Sequence, residues 1–331
     1  MKAQIKKYVE AYGPSGFEDS IREMIRAEIR GLPDYITVDG IGNLIGVIKK
    51  QSKSGKKVLL IAHMDEIGVI VTHVDERGFC RFLPLGGVSP LTCVGGRVRF
   101  ENGAMGVIGL EKRDNTASVP SFEQLFIDVG ATSRDDCPVQ VGAAAGFYRP
   151  MDEVGSRLTA KSMDDRIGCV VLLQVLKALK RTPHEVAFVW SVQEEVGTRG
   201  AGPAAYGFDP DVAVAVDVTL TGDTPKGLKM DVALGAGPAI KIRDSGMLAD
   251  PRVVRLLREA AEAAKLPYQM EILERGTTDA RPIQVTRLGV PAGVVSIPCR
   301  HIHTPSEMVD VNDVNGAIEL LLSFLKRPIE L

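Results

Sequence analysis

The stretch Trp190-Ser191-Val192-Gln193-Glu194-Glu195-Val196-Gly197 places two adjacent carboxylates directly after a strongly apolar segment. That segment, Val186 to Trp190, is rich in β-branched and aromatic residues, which is typical of a buried central strand. Two glutamates where such a strand ends are costly to bury unless a cation receives them. Taken alone, the pair also fits a solvated loop, so the surrounding sequence has to decide between these interpretations.

Three further apolar strands are predicted to lead into residues that commonly bind metal ions. Val58 to Ala62 precedes His63, Val212 to Val216 ends in Asp217, and Gly293 to Ile297 leads toward His303. A fifth acidic site lies just ahead of a long predicted helix, at Asp164 and Asp165. In an open α/β sheet, ligands collect outside the carboxyl ends of the strands. Placement of five such positions at one edge therefore favours a metal site over solvated acids.

The chemistry of these side chains narrows the kind of metal. Histidine and carboxylate ligands without cysteine favour Zn, Co or Mn. The seven candidates exceed the needs of one ion and suit two ions about 3.5–4 Å apart that share a carboxylate, as in two-metal hydrolases. Asp65, two residues after His63, is positioned to orient the imidazole.

The pattern of predicted elements indicates an α/β fold with an insertion. Between residues 69 and 155, short β-prone segments alternate with Gly, Pro, Asn and Asp turns, and no helix of normal length is predicted. This spacing is typical of a small β-barrel or sandwich. Because α/β patterning resumes afterwards, the sequence predicts a first domain made of 1–68 and 156–331, with 69–155 inserted into it.

Composition sets further limits on function. The chain has 331 residues, 45% hydrophobic and 25% charged, and a net charge of −2, which provides no basic field for nucleic acid or an acidic membrane. No segment reaches membrane-spanning length, and five scattered cysteines suit reduced thiols, so we expect a cytoplasmic protein. Serine-hydrolase, P-loop and dinucleotide-binding motifs are missing from the sequence.

Six short motifs occur in an order that resembles the M42 metallo-aminopeptidases. They are His63-Met64-Asp65-Glu66-Ile67-Gly68, Ser162-Met163-Asp164-Asp165-Arg166, Gln193-Glu194-Glu195-Val196-Gly197, the strand ending in Asp217, Thr278-Asp279-Ala280 and His303-Thr304-Pro305-Ser306-Glu307. Any one of these motifs is weak, whereas all six in order are highly specific. The resemblance covers essentially the whole chain, including the inserted β domain.

The resemblance implies roles for individual residues. It implies one divalent ion held by His63, Asp164 and Asp217, and a second held by Asp164, Glu195 and His303, with Asp164 bridging. Glu194 would be the general base, and Asp65 would orient His63. Thr278 and Asp279 of the fifth motif, and Arg281 directly after that motif, would contact the substrate.

The resemblance also implies an architecture and an assembly. We expect a zinc-exopeptidase-like domain with a mixed central sheet and helices on both faces, and an inserted PDZ-like β-barrel that mediates dimerisation. Dimers would assemble further, because the family has tetrahedral, dodecameric members.

Two positions depart from the family pattern: His301 stands where an aromatic residue is frequent, and Arg281 stands where glycine is common. Arg281 would narrow the entrance or favour an acidic substrate, unless it forms a surface salt bridge.

The expected function is a two-metal aminopeptidase that releases N-terminal residues from short peptides. Three alternatives remain open at this point. A related dimetal deacylase or carboxypeptidase would use the same ligands. A glycoside hydrolase would use Glu194 and Glu195 as acid and nucleophile, although glycosidase carboxylates flank the substrate about 5–9.5 Å apart and the histidines would have no role. A non-catalytic assembly protein would not need the complete ligand set.

Overall fold

The computed structural model describes residues 1–50, 52–113 and 118–331. It consists of a large mixed sheet with helices on both faces and a small closed β-barrel. The helices are α1 (Lys2–Val9), α2 (Asp19–Ile29), α3 (Pro90–Cys93), α4 (Met163–Ala178), α5 (Ala201–Phe208), α6 (Pro251–Ala263), α7 (Ala280–Gln284) and α8 (Val311–Lys326).

The strands are divided between the sheet and the barrel. Those of the sheet are β1 (Tyr35–Val38), β2 (Leu44–Ile48), β3 (Lys57–His63), β10 (Asp152–Val154), β11 (Arg157–Ala160), β12 (Glu185–Ser191), β13 (Val212–Thr219), β14 (Ala239–Arg243), β15 (Gln269–Ile272), β16 (Ala292–Arg300) and β17 (Glu307–Asp310). Those of the barrel are β4 (Gly68–Val74), β5 (Cys80–Leu85), β6 (Arg97–Phe100), β7 (Met105–Leu110), β8 (Leu125–Asp128) and β9 (Ala144–Phe147).

The centre of the sheet consists of four adjacent parallel strands in the order β12, β3, β13 and β16. Ser191 lies opposite His63, and Asp217 lies opposite Ser296. The carboxyl ends of these strands therefore lie at the same edge of the sheet. Antiparallel strands flank them on both sides, which makes the sheet mixed, as predicted.

Helices cover both faces of the sheet and bury its apolar side chains. One face packs against α4 and α8, where Ile167 and Leu321 are fully buried with Leu60 of β3. The other face packs against α5 and α7, where Ala201 and Ile283 are buried. The central strands thus have apolar residues on both sides, which explains their nearly continuous apolar runs.

The barrel follows β3 directly and closes in the strand order β4-β5-β8-β7-β6-β9. Its own core includes Val69, Phe82 and Ile127, so the predicted β-barrel is confirmed and a sandwich is not formed. The chain returns to the large sheet at β10. Within the residues that the structure describes, no helix combines the length and apolarity needed for a membrane crossing.

Two strands are longer than the apolar pattern predicts. β13 continues past Asp217 to Thr219 because Val218 and Thr219 remain paired with β16. β16 continues past Ile297 to Arg300, where it pairs with β17. Asp217 therefore lies within its strand, and His303 lies in the turn between β16 and β17.

Candidate metal centre and active-site cavity

The structure brings five predicted ligands together at the carboxyl edge of the sheet. Nitrogen and carboxylate oxygen atoms of His63, Asp164 and Asp217 lie within 4.8 Å of one another. The same holds for Asp164, Glu195 and His303. Asp164 belongs to both groups, which we call the His63 group and the His303 group.

The carboxylate of Asp164 faces a different histidine with each oxygen. Its Oδ1 lies 3.0 Å from His63 Nε2, and its Oδ2 lies 3.3 Å from His303 Nε2. Asp217 Oδ1 lies 3.9 Å from His63 Nε2, and Glu195 Oε2 lies 3.1 Å from His303 Nε2. One carboxylate therefore connects the two groups.

Among the described residues, Asp165 belongs to neither ligand group. Its peptide bond to Asp164 is cis, and its Oδ1 accepts a hydrogen bond from the backbone N–H of Gly168 at 3.0 Å. One oxygen of the side chain is thus held by the backbone of α4. Of the two aspartates that the sequence offered, Asp164 is the one placed among the ligands.

The buried charges fit divalent cations. Burial, followed by repulsion from Asp164, raises the pKa of Asp217 well above its usual value. Burial also raises the pKa of Glu195, and its Oε1 has no hydrogen-bond partner among the described residues. Carboxylates packed this closely repel one another until a cation neutralises them. The histidine and carboxylate donors are those that Zn, Co and Mn accept.

Nearby carboxylates raise the pKa of both histidines, and Asp164 acts on each of them. Burial alone would lower the pKa of His63, but its contacts with Asp164 and Asp65 raise it well above the usual value. For His303, burial is outweighed by Glu195 and Asp164, and the pKa rises to about 12. Both imidazoles therefore lie where a positive charge is strongly favoured, as is expected at a site that binds a cation.

Asp65 connects the histidine strand to the glutamate loop. Its Oδ1 lies 3.4 Å from His63 Nδ1, which is longer than a good hydrogen bond, and accepts the backbone N–H of Glu194 at 3.0 Å. Its Oδ2 accepts the Ser15 hydroxyl at 2.6 Å and the backbone N–H of Glu195 at 3.2 Å. Asp65 thus positions the backbone of the loop as well as facing the imidazole.

Glu194 lines a cavity of about 530 Å³ beside the two groups. Burial raises the pKa of Glu194 well above its usual value, and Asp217 contributes to the increase. Within the described residues, Glu194 belongs to neither ligand group. A carboxylate with a raised pKa that faces the cavity without binding a cation is suited to accept and return a proton.

The predicted substrate residues have different positions. Arg281 lines the cavity together with Arg275. Thr278 and Asp279 are buried: Thr278 Oγ1 accepts the backbone N–H of Ala280 at 3.3 Å, and Asp279 accepts the Ser191 hydroxyl. His301 has an exposed side chain and belongs to neither ligand group in the described part of the chain.

Two buried glutamates near the centre have no role assigned from the sequence. Glu18 Oε1 accepts the backbone N–H groups of Gly16 at 2.7 Å and Gln193 at 3.1 Å. Burial, with Asp65 nearby, raises the pKa of Glu18 to about 7. Glu307 accepts backbone N–H groups of Asp164 and His303. Glu307 belongs to one of the six motifs quoted above, which is a signal that could have been followed, whereas Glu18 resembles an ordinary residue just before α2.

Comparisons with known proteins find similar sequences over most of the chain. The family model described as M42 glutamyl aminopeptidase matches residues 42–320. A relative from Acetivibrio thermocellus is 44% identical over 320 residues, which are 96% of each chain. The lysyl aminopeptidase of Pyrococcus furiosus is 33% identical over 338 residues, covering 97% of this chain and 96% of that protein.

Solved structures are similar over almost the full chain. Aminopeptidase APDkam598 of Desulfurococcus kamchatkensis has a TM-score of 0.94 at 41% identity, covering 98% of this chain and 94% of that one. The TET1 peptidase of Pyrococcus horikoshii, which can assemble into a tetrahedron or a large octahedral shell, has a TM-score of 0.89 at 30% identity, covering 98% of both chains. A Thermotoga maritima structure named an endoglucanase has a TM-score of 0.82 at 34% identity, covering 97% and 96%.

Proposed function

Because this chain belongs to the M42 family of aminopeptidases, which is metal-dependent, we propose that it releases N-terminal residues from short peptides with two divalent metal ions. The observation that carries the proposal is the position of Asp164, whose two oxygens face His63 and His303 separately. A carboxylate between two ligand groups is the arrangement expected of a bridging ligand.

The two ligand groups supply one site each. His63, Asp164 and Asp217 would hold one ion, and Asp164, Glu195 and His303 the other. The donors suit Zn, Co or Mn. When bound, such ions act as Lewis acids that polarise a carbonyl oxygen and lower the pKa of water.

Glu194 is the residue that we propose to transfer the proton. Its carboxylate lines the cavity, and burial raises its pKa. In this role the carboxylate takes a proton from the attacking water and passes it to the nitrogen of the leaving amine. Asp65 is a positioning residue, because it faces His63 Nδ1 and holds the backbone of Glu194.

The cavity wall suggests which N-terminal residues are preferred. Arg275 and Arg281 line the cavity, and among the described residues no ion pair involves either of them. The surface salt bridge left open for Arg281 is therefore not formed within the described part of the chain. We propose that these guanidinium groups favour an acidic side chain on the N-terminal residue of the substrate, since a carboxylate forms charge-assisted hydrogen bonds with arginine.

We also propose that residues 69–155 form a dimerisation domain and that dimers assemble into a tetrahedral dodecamer. The TET1 peptidase of Pyrococcus horikoshii forms a tetrahedron with the same fold. The barrel exposes large apolar side chains, including Leu83, Leu91 and Val107, as an interface would. Light scattering after size-exclusion chromatography distinguishes a monomer, a dimer and a dodecamer.

The experiment that tests the function is hydrolysis of amino-acid p-nitroanilides by chelated protein re-supplied with Zn, Co or Mn. N-acetylated substrates serve as controls. We expect cleavage that is restored by metal and limited to substrates with a free amine. Release of acetate from the N-acetylated substrates would instead identify a deacylase. Cleavage of glucans that persists under chelation would identify a glycoside hydrolase, the activity named for the Thermotoga protein. The contact of Glu195 with His303 argues against that second outcome.

A further inference from the structure

A segment of the barrel packs against the His303 group. Gly86 and Gly87 follow β5 directly. A Cβ on Gly87 would lie 2.3 Å from His303 Nδ1 and 2.6 Å from its Cε1, and a Cβ on Gly86 would lie 3.1 Å from Glu195 Cβ. The backbone of this segment therefore packs on two ligands more closely than a side chain would allow.

The backbone of His303 is held by Glu307. His303 has a φ of 60°, a left-handed conformation that is uncommon for residues other than glycine. Its N–H donates to Glu307 Oε1 at 2.8 Å, while Glu307 Oε2 accepts the N–H of Asp164 at 2.9 Å. Glu307 is 1% exposed, so this one buried carboxylate fixes the spacing of two ligand residues.

We propose that Gly87 and Glu307 are positioning residues for His303, so that ion binding by the His303 group depends on the barrel segment and on Glu307. Binding by the His63 group is not expected to depend on Gly87, because the three atoms nearest to a Cβ placed there all belong to His303. A metal ligand must hold its donor atom within a few tenths of an ångström. This inference rests on the two-ion function proposed above.

The test is a Co²⁺ titration of the metal-free, full-length protein, followed by visible absorption and calorimetry. The native protein is expected to bind in two phases, and Asp217→Ala assigns one of them to the His63 group. In Gly87→Ala we expect the dissociation constant of the other phase to rise about 10–100-fold, with the His63 phase unchanged. Gly207→Ala is the matched control, since Gly207 is exposed and its added Cβ would meet no atom within 4 Å.

Glu307→Gln provides a second, independent variant. The amide has one acceptor oxygen, so one of the two backbone N–H groups loses its partner. We expect the His303 phase to weaken more than the His63 phase, whereas the exposed control Glu319→Gln leaves both unchanged. If Gly87→Ala does not fold, Glu307→Gln decides alone.

Two results in the variants would overturn the positioning role. Either both Co²⁺ affinities stay as in the native protein while only the melting temperature falls, or both affinities fall by the same factor. A native protein that binds a single Co²⁺ would contradict the two-ion function itself, and this would be visible before any variant is made.

Discussion

Replacing Asp65 with asparagine tests how the metal centre is positioned, because the change keeps the shape of the side chain. Each oxygen of Asp65 accepts one backbone N–H, from Glu194 at 3.0 Å and from Glu195 at 3.2 Å. An amide has only one acceptor oxygen. With the NH₂ at the Oδ2 position, the Ser15 hydroxyl can rotate to accept from it, but the N–H of Glu195 loses its partner.

The size of the effect follows from these contacts. A backbone donor left without its partner costs about 1–3 kcal/mol. The negative charge facing His63 Nδ1 is also removed, and loss of a group that orients a metal ligand lowers metal affinity about 10–100-fold. At about 1.36 kcal/mol per factor of ten, this corresponds to roughly 1.4–2.7 kcal/mol of binding free energy.

The assay is calorimetric titration of metal-free Asp65→Asn with Zn²⁺, together with kcat at saturating metal. We expect weaker binding and a lower kcat, because Glu194 and Glu195 are carried by the backbone that loses a hydrogen bond. Asp135→Asn is the control, since Asp135 is exposed and the exchange removes the same charge. Wild-type affinity and kcat in Asp65→Asn would refute the positioning argument.

Three other predictions follow from the same geometry. Glu194→Gln is expected to bind metal like the native protein while kcat falls about 10²–10⁴-fold; normal turnover would show that another group transfers the proton. Arg281→Gln is expected to lower kcat/KM about tenfold for a glutamyl p-nitroanilide through loss of a charge-assisted hydrogen bond, with no change for the leucyl substrate, and an equal loss on both would contradict an acidic preference. Metal removal is expected to lower the melting temperature, and re-supply at 100 times the dissociation constant restores about 2.7 kcal/mol, whereas identical melting curves by scanning fluorimetry would mean that the carboxylates need no cation.

The positions of the candidate ligands could be predicted from the sequence because the carboxyl ends of parallel strands lie at the same edge of a sheet. Strands β3, β12, β13 and β16 have apolar runs that end near a histidine or an acid, and their carboxyl ends lie at one edge. Small errors in strand length did not matter, since Asp217 reaches the His63 group from within its strand. The inserted barrel could also be predicted from the sequence, because turn residues separate its short β-prone segments at regular spacing.

The contacts that hold the candidate ligands in place could not be predicted from the sequence. Gly87 contacts His303 only because the barrel packs against the edge of the sheet. The periodicity of apolar residues along the sequence does not indicate how the barrel and the sheet pack together. Glu18 lies 175 residues from Gln193, whose backbone it holds. The resemblance to the family placed Thr278 and Asp279 at the substrate, but both side chains are buried against backbone and Ser191, a partnership that no spacing rule predicts.

The central claim is that two ions share Asp164, and anomalous diffraction from crystals of the Zn-loaded protein tests it most directly. We expect two peaks per subunit about 3.5–4 Å apart, one beside His63 and one beside His303, with the Asp164 carboxylate between them. A single peak at full zinc saturation, or two peaks with Asp164 bound to only one of them, would contradict the account.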